Sequence, residues 1–320
     1  MTTPTPATRL VARTPEDLVA MVPVVLGFVP EDSVVLLTFG GAEAFHARLD
    51  LPPADRPAAI RAAVEALLEP AVRHAVRQVV LLAFAAEHRE AAEAGRALVA
   101  AFEEREIDVV QALRADGRRC YPWVPGRAAV PWTGTPYDLS SHRFTAQAVL
   151  EGVVTHASRA ALAGSLDRDP ARVAALVAAL SRGEPGEPAA AAAWVAEVVA
   201  GHVRDGTVPD DAEAARLLGA VREVAVRDAT LFLMDRGNAP GHVALWTDLV
   251  RRSPDRLLAA PAVLLGLAAW IAGHGALAWC AVDLCRAVEP EHPTACLLGE
   301  LLAEAVPPSE WERMRAQPAG

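Results

Sequence analysis

Every strand-like apolar run in this chain lies before residue 124, and that confinement limits the fold more than any other feature. Val34 to Phe39 is an uninterrupted apolar run of strand length and Gln78 to Phe84 reads the same way, which predicts central strands covered on both faces. From Phe45 the pattern alternates: His46, Arg48 and Asp50 share one face, while Ala47, Leu49 and Leu51 share the other. This predicts a half-exposed strand paired across the Gly40-Gly41 reversal. Ile107 to Arg114 and Arg118 to Trp123 flank Asp116-Gly117, a strong short hairpin signal. Residues 8–12 read as a further short strand.

Helical signals fall between these runs. Thr14 can cap a helix that Pro15 opens, Asp17 sits near its positive end, and Gly27 supplies the stop. Asp55 to Leu68, ending at Pro70, and Glu87 to Arg105 are the next helices. Strands and helices in this order imply one mixed sheet with helices packed on it. Pro125 to His142 carries three prolines and two glycines without periodicity, a long connection. Beyond Arg143 only helical periodicity recurs. The expected organisation is therefore an α/β domain over residues 1–127, an aromatic, proline-rich connecting loop over 128–142, and a helical domain over 143–320.

That helical domain is expected to end in a tetratricopeptide-like hairpin, residues 259–292. Leu265-Gly266, Gly273, Ala278, Val282, Cys285 and Pro290 stand at the small, apolar and terminating positions of a repeat of about 34 residues. Small residues let two helices approach closely, and proline ends the second. No second copy at that period precedes it, so this is one hairpin and not an array.

Composition excludes several chemistries. All 30 basic residues are arginine, and without lysine there is no P-loop, no Schiff base and no pyridoxal phosphate anchor. The net charge is -10, shared as -3 over residues 1–127 and -7 over 128–320, so neither part has the basic balance of a nucleic-acid binder. The first ten residues lack the apolar core of a secretory signal, and four cysteines are expected as free thiols, which together predict a cytoplasmic protein. Leu257 to Val282 contains no Asp, Glu or Arg, but proline and glycine interrupt it, so no membrane span is expected. Cys280, Cys285, His292 and Cys296 have zinc-ligand chemistry, yet Cys280 and Cys285 would diverge by roughly 140° on one helix, and no metal is expected. The only G-x-G, Gly273-His274-Gly275, lies between helical patterns, so no dinucleotide cofactor is expected either.

The candidate ligand-binding residues fall in three places. Glu87 and His88, with Arg89, follow the buried strand 78–84 and begin a helix whose free N–H groups favour anions. Arg48 and Asp50 share a strand face at ion-pair spacing, with His46 beside them. In the loop, Trp132, Tyr137, Asp138 and His142 combine ring surface, a carboxylate and a base, with Ser141 next to His142. Burial of Trp123, Trp132 and Tyr137 as packing residues is the plainer reading of those aromatics. The Pro30-Glu31-Asp32-Ser33 turn enters a strand, which sets it apart from the carboxyl strand ends where ligands of α/β sheets gather.

Arg-Thr-Pro-Glu-Asp-Leu-Val (13–19), Leu-Gly-Phe-Val-Pro-Glu-Asp-Ser-Val-Val (26–35), Ala-Arg-Leu-Asp-Leu-Pro (47–52) and Gly-Thr-Pro-Tyr-Asp (134–138), with the helical tail, resemble the actinobacterial domain-of-unknown-function family 4192 over nearly the whole chain. The resemblance implies no reaction, cofactor, partner or catalytic residue. The expectation for function is an interaction or scaffold protein that uses its helical domain to bind another protein, because helical hairpins expose grooves. The alternative is a small-molecule enzyme or ligand-binding protein with its site between residues 85–89 and the 125–142 loop.

Overall fold

The computed structural model describes residues 11–41, 45–127, 130–150, 154–180 and 188–316. A mixed six-stranded sheet with packed helices comes first, and a helical region follows. Contacts divide the chain into two compact units, one running to Arg159 and the other starting at Ala160.

The first unit contains α1 (Pro15–Leu26), β1 (Ser33–Phe39), β2 (His46–Asp50), α2 (Pro57–Arg73), β3 (Gln78–Phe84), α3 (His88–Glu104), β4 (Asp108–Ala115), β5 (Arg119–Pro122), β6 (Thr135–Pro136) and α4 (Arg143–Leu150). The strand order is β2-β1-β3-β4-β5-β6. Only β3 and β4 run parallel, joined by α3 as the crossover, and every other neighbouring pair is antiparallel. Pleat alternation sends Leu36, Leu81, Ala83 and Ala112 to one face, against Leu67 and Ala71 of α2 and Leu98 and Phe102 of α3. Val35, Leu37, Leu82 and Leu113 go to the other, against Val19 and Val22 of α1 and Phe144 of α4.

Local chemistry explains the ends of α1. The Thr14 hydroxyl accepts from Asp17 N at 3.1 Å, and the Asp17 carboxylate accepts from Thr14 N at 3.1 Å and Arg13 N at 2.7 Å, a reciprocal capping box. Gly27 closes the helix at φ 78°, a left-handed conformation that glycine adopts without strain. Helix α2 departs from expectation, because it runs through Pro70 to Arg73. The proline sits in the last turn, where it forfeits one ladder bond, and its burial with Ala71 offsets that loss. Of the strand expected at residues 8–12, residues 8–10 lie outside the described residues, and Val11 and Ala12 form no strand.

Residues 130–142 are not a tether. Thr135 and Pro136 pair with Cys120 and Arg119 as the short edge strand β6, and α4 packs on α1 within the same unit. Contacts thus place the division after Arg159 and not at residue 143, because the segment's backbone groups find partners in the sheet and its apolar residues find the α1 face.

The second unit contains α5 (Arg159–Gly164), α6 (Pro170–Leu180), α7 (Pro188–Asp205), α8 (Asp211–Ala220), α9 (Val224–Leu231), α10 (Ala239–Arg252), α11 (Asp255–Ile271), α12 (Gly275–Val288), α13 (Pro293–Ala303) and α14 (Ser309–Ala316). Helix α11 is the centre: every residue from Leu257 to Ile271 is buried, with α8, α9, α10, α12 and α13 around it. The apolar stretch 257–282 breaks at Gly273, φ 83°, into the pair α11 and α12. A Cβ on Gly266 would lie 2.8 Å from Leu298 and 3.6 Å from the Ala278 carbonyl, so close approach of α11, α12 and α13 requires a glycine there. The pair is not the end of the chain's helices, since α13 and α14 follow it. Among the described residues, no helix is long and apolar enough to cross a membrane.

Candidate functional site at the carboxyl ends of the parallel strands

The crossover α3 starts directly beyond the carboxyl end of β3, and the β4–β5 turn lies beyond the carboxyl end of β4. Open α/β sheets bind ligands in this position. Arg114, the penultimate residue of β4, points to the α3 face in register with Ala83, and it is 7% exposed. Its Nη1 donates to the carbonyls of Ala85 at 3.0 Å and Ala86 at 2.7 Å, and its guanidinium carbon lies 4.3 Å from the ring centre of Tyr121 on β5.

The turn beside it is tightly organised. Asp116 Oδ1 accepts from Arg118 N at 2.8 Å and Arg119 N at 2.7 Å, and Oδ2 accepts from the Tyr121 hydroxyl at 2.9 Å. Burial works to raise the Asp116 pKa, but those three donors and the nearby Arg114 charge outweigh it, so the carboxyl titrates below its ordinary value. The same bond holds the Tyr121 phenol above its ordinary value. Arg119 fastens the outer loop through Nε to the Thr133 carbonyl at 3.2 Å and Nη2 to the Gly134 carbonyl at 2.7 Å. Gly134, φ 74°, crosses the Tyr121 ring where a Cβ would fall 2.5 Å from a ring carbon, so only glycine lets the loop pass this close.

That loop carries Trp132 to His88. The rings meet edge to face with centroids 6.4 Å apart, and Trp132 is 58% exposed. Its expected burial is therefore overturned: Trp123 is the enclosed indole. Trp123 is 1% exposed, donates to the Ala91 carbonyl at 2.9 Å, and packs on Gly95 of α3, where a Cβ would lie 2.5 Å from its nitrogen. Desolvation, then the charges of Arg114 and Arg96, lower the His88 pKa, so its imidazole favours the neutral form. Glu87 is the exposed N-cap of α3 and makes no side-chain cap hydrogen bond.

The other candidates lie elsewhere. Arg48 and Asp50 pair at 2.7 Å, and Arg48 Nε donates to the Ser33 hydroxyl at 2.8 Å; Asp50 is largely exposed. Their strand, β2, is two places from β3, about 10 Å away, and they face α1, not α3. His46 on that face is half-buried, its Nδ1 is enclosed without a hydrogen-bond partner, and desolvation pushes its pKa down to about 4. The Pro30 to Ser33 turn does lie at the carboxyl end of β3, contrary to expectation, because β1 is antiparallel to β3 and Ser33 pairs with Phe84.

Tyr137 accepts from Gly117 N at 3.1 Å through its hydroxyl oxygen, and burial raises its pKa to about 12. Asp138 accepts from the hydroxyls of Ser140 at 2.7 Å and Ser141 at 2.9 Å, contacts that lower its pKa. Ser141 and His142 thus form no catalytic pair. His142 Nδ1 accepts from Phe144 N at 3.1 Å, which leaves Nε2–H to donate to Asp17 Oδ1 at 3.1 Å. Arg143 joins the same carboxylate at 3.0 Å. Asp17 therefore binds the start of α4 to the capping box of α1, and His142 is a structural histidine.

Of the expected site residues, the fold brings together Glu87, His88 and Trp132. Three others, Arg114, Asp116 and Tyr121, belong with them and were not singled out. One signal was present for Arg114: it shares the inward period of Ala112 on a strand, where a charge is out of place.

Sheet, crossover and helices define the class: an α/β unit with a polar cluster at its parallel strand ends, followed in the same chain by a helical unit. A family model described as "Domain of unknown function (DUF4192)" matches residues 15–309, and the chain belongs to that family. No curated protein and no solved structure matches it.

Proposed function

We propose that the first unit is a small-molecule-binding domain whose ligand binds beyond the carboxyl ends of β3 and β4, with a planar group of the ligand against Trp132 and His88. The observation that carries this reading is the exposed Trp132 indole. Arg119 holds the flanking carbonyls, and the ring stands against His88 instead of folding into the core. Exposing a large apolar ring while fixing its backbone forgoes burial energy of about 25 cal/mol per Å², and a stacking surface for a ligand gives that arrangement a use. The test is a fluorescence titration with neutral heteroaromatic probes, adenosine, nicotinamide and indole, against wild type and Trp132→Ala. Saturable quenching in wild type that disappears in the variant is expected. Absence of any response, with no small molecule retained in native mass spectrometry, overturns the reading.

A second reading, a protein-interaction role for the helical unit, is favoured by an open depression of about 680 Å³ along α6 lined by Asp167, Arg168, Pro170, Val173, Ala174 and Val177. Its apolar residues recur at helical spacing, as in helix-in-groove docking, and the α11–α12 pair resembles a tetratricopeptide unit in its small-residue contact. All four cysteines being free supports a cytoplasmic setting. Val173→Asp abolishing co-purification of a specific protein is the expected result under this reading; an unchanged set of co-purifying proteins sinks it.

A further inference from the structure

We infer that the ligand of this site carries an oxyanion, a phosphate or carboxylate, and that Arg114 is its cationic partner; this rests on the small-molecule reading above. Arg114 is 93% buried by its 7% exposure, and among the described residues it forms no ion pair. Its hydrogen-bond partners are two neutral carbonyls, and a tyrosine face covers it. A buried charge without a counter-charge is costly, and natural proteins tolerate it where a bound group completes the pair. Asp116 is the carboxylate whose titration responds to Arg114, but its oxygens are taken by two backbone amides and the Tyr121 hydroxyl.

The surroundings add to the positive potential. The carbonyls that hold Arg114 belong to Ala85 and Ala86, immediately before the N-cap of α3. The guanidinium therefore sits against the positive end of a 17-residue helix that lacks a side-chain cap. A cation beside a helix N-terminus is repulsive unless an anion lies between them. The exposed carboxylates of Glu87 and Glu90 soften this only through solvent. Arg114 Nε is enclosed without a partner; Nη2 also makes no hydrogen bond but is not enclosed, so it is the donor open to a ligand. Nη2 and the first-turn amides of α3 are the donors assigned to the oxyanion, and the Trp132–His88 pair is the surface assigned to the ligand's planar part.

The test uses the full chain in buffers of constant ionic strength made up with chloride. Phosphate and benzoate are titrated separately by calorimetry and by thermal denaturation, which distinguishes the two oxyanion sources. Saturable binding of at least one, with a melting temperature several degrees above the chloride control, is expected in wild type. Arg114→Met is expected to lose that response while still melting cooperatively in chloride, since it keeps much of the side-chain volume without the charge. Should that variant not fold, Arg114→Lys keeps the charge without the planar fork, and about tenfold weaker binding is expected. No saturable response to either anion in wild type overturns the inference, and so does a response that survives unchanged in Arg114→Met or Arg114→Lys. If neutral rings quench Trp132 while both anions fail, the ligand reading stands and this inference falls. If neither binds, both fall.

Discussion

Two arginines are buried in the described residues, one in each unit, and only one of them forms ion pairs within the fold. Arg252, at the end of α10, is 2% exposed and meets Asp248 through Nη2 and Asp211 through Nη1 at 3.4 Å, with the Pro209 carbonyl at 3.0 Å. Asp248 also takes Arg172 of α6 at 2.5 Å, so the network ties α6, α8 and α10 with its charges matched internally. Arg114 has carbonyls and a ring but no carboxylate partner. A charge matched within the fold serves architecture, whereas one left unmatched at the end of a sheet is available to something that arrives from solution.

The largest effect should come from breaking the matched network. Asp248→Ala strands Arg252 with a half-exposed Asp211, and a urea melt is expected to show a loss of about 3–5 kcal/mol. A loss under about 1 kcal/mol would erase the contrast between the two arginines. Next is Gly95→Ala, whose new methyl collides with the immobile Trp123 indole; overpacking should cost about 1–3 kcal/mol.

A pH dependence separates buried polar groups further. Burial pushes the His242 pKa down to about 4 from 6.5, so its contribution to stability is complete above 6.5 and is lost as pH falls towards 4. His242→Gln, which keeps an acceptor for the Trp246 indole N–H, should flatten the stability–pH curve between pH 6.5 and 5 by on the order of 1 kcal/mol per unit. Identical slopes would mean that the ring takes up its proton in the folded state. The smallest effect is expected for Trp132→Ala: with the ring 58% exposed, stability should change by less than about 0.5 kcal/mol while ligand quenching is lost. A core-sized loss would return Trp132 to a packing role.

Much of the fold was legible because it is written in local periodicity. The runs 34–39 and 78–84, the Thr14 to Asp17 start of α1 and the Asp116-Gly117 hairpin all depend on residues within a few positions of one another. Strand direction is not local. The sequence placed Ser33 away from the ligand end because it begins a strand, and only the antiparallel pairing with β3 brings it there. Edge strand β6 is two residues long and contains proline, too short to carry a period, so 128–142 read as a connection. The meeting of Glu87–His88 with the aromatic loop was legible from chain order and residue type. Arg114 was hidden among ordinary strand residues, because its lack of a counter-charge appears only when neighbours from three strands are assembled.

The Asp17 carboxylate has a consequence in time. Its partners Thr14 and Arg13 are made at once, but His142 lies 125 residues later, and His156, which pairs with Gly27 and Val29, later still. At a synthesis rate of about 5–20 residues per second, a ribosome needs roughly 6–25 s to deliver His142 after Asp17. Through that interval the nascent α1 face lacks α4, and Val19, Val22 and Leu37 await the Phe144 side chain that helps cover them. Translation alone therefore delivers α1 and β1 well before the Phe144 side chain that helps cover them, so this face of the first unit is the last of its layers to be completed.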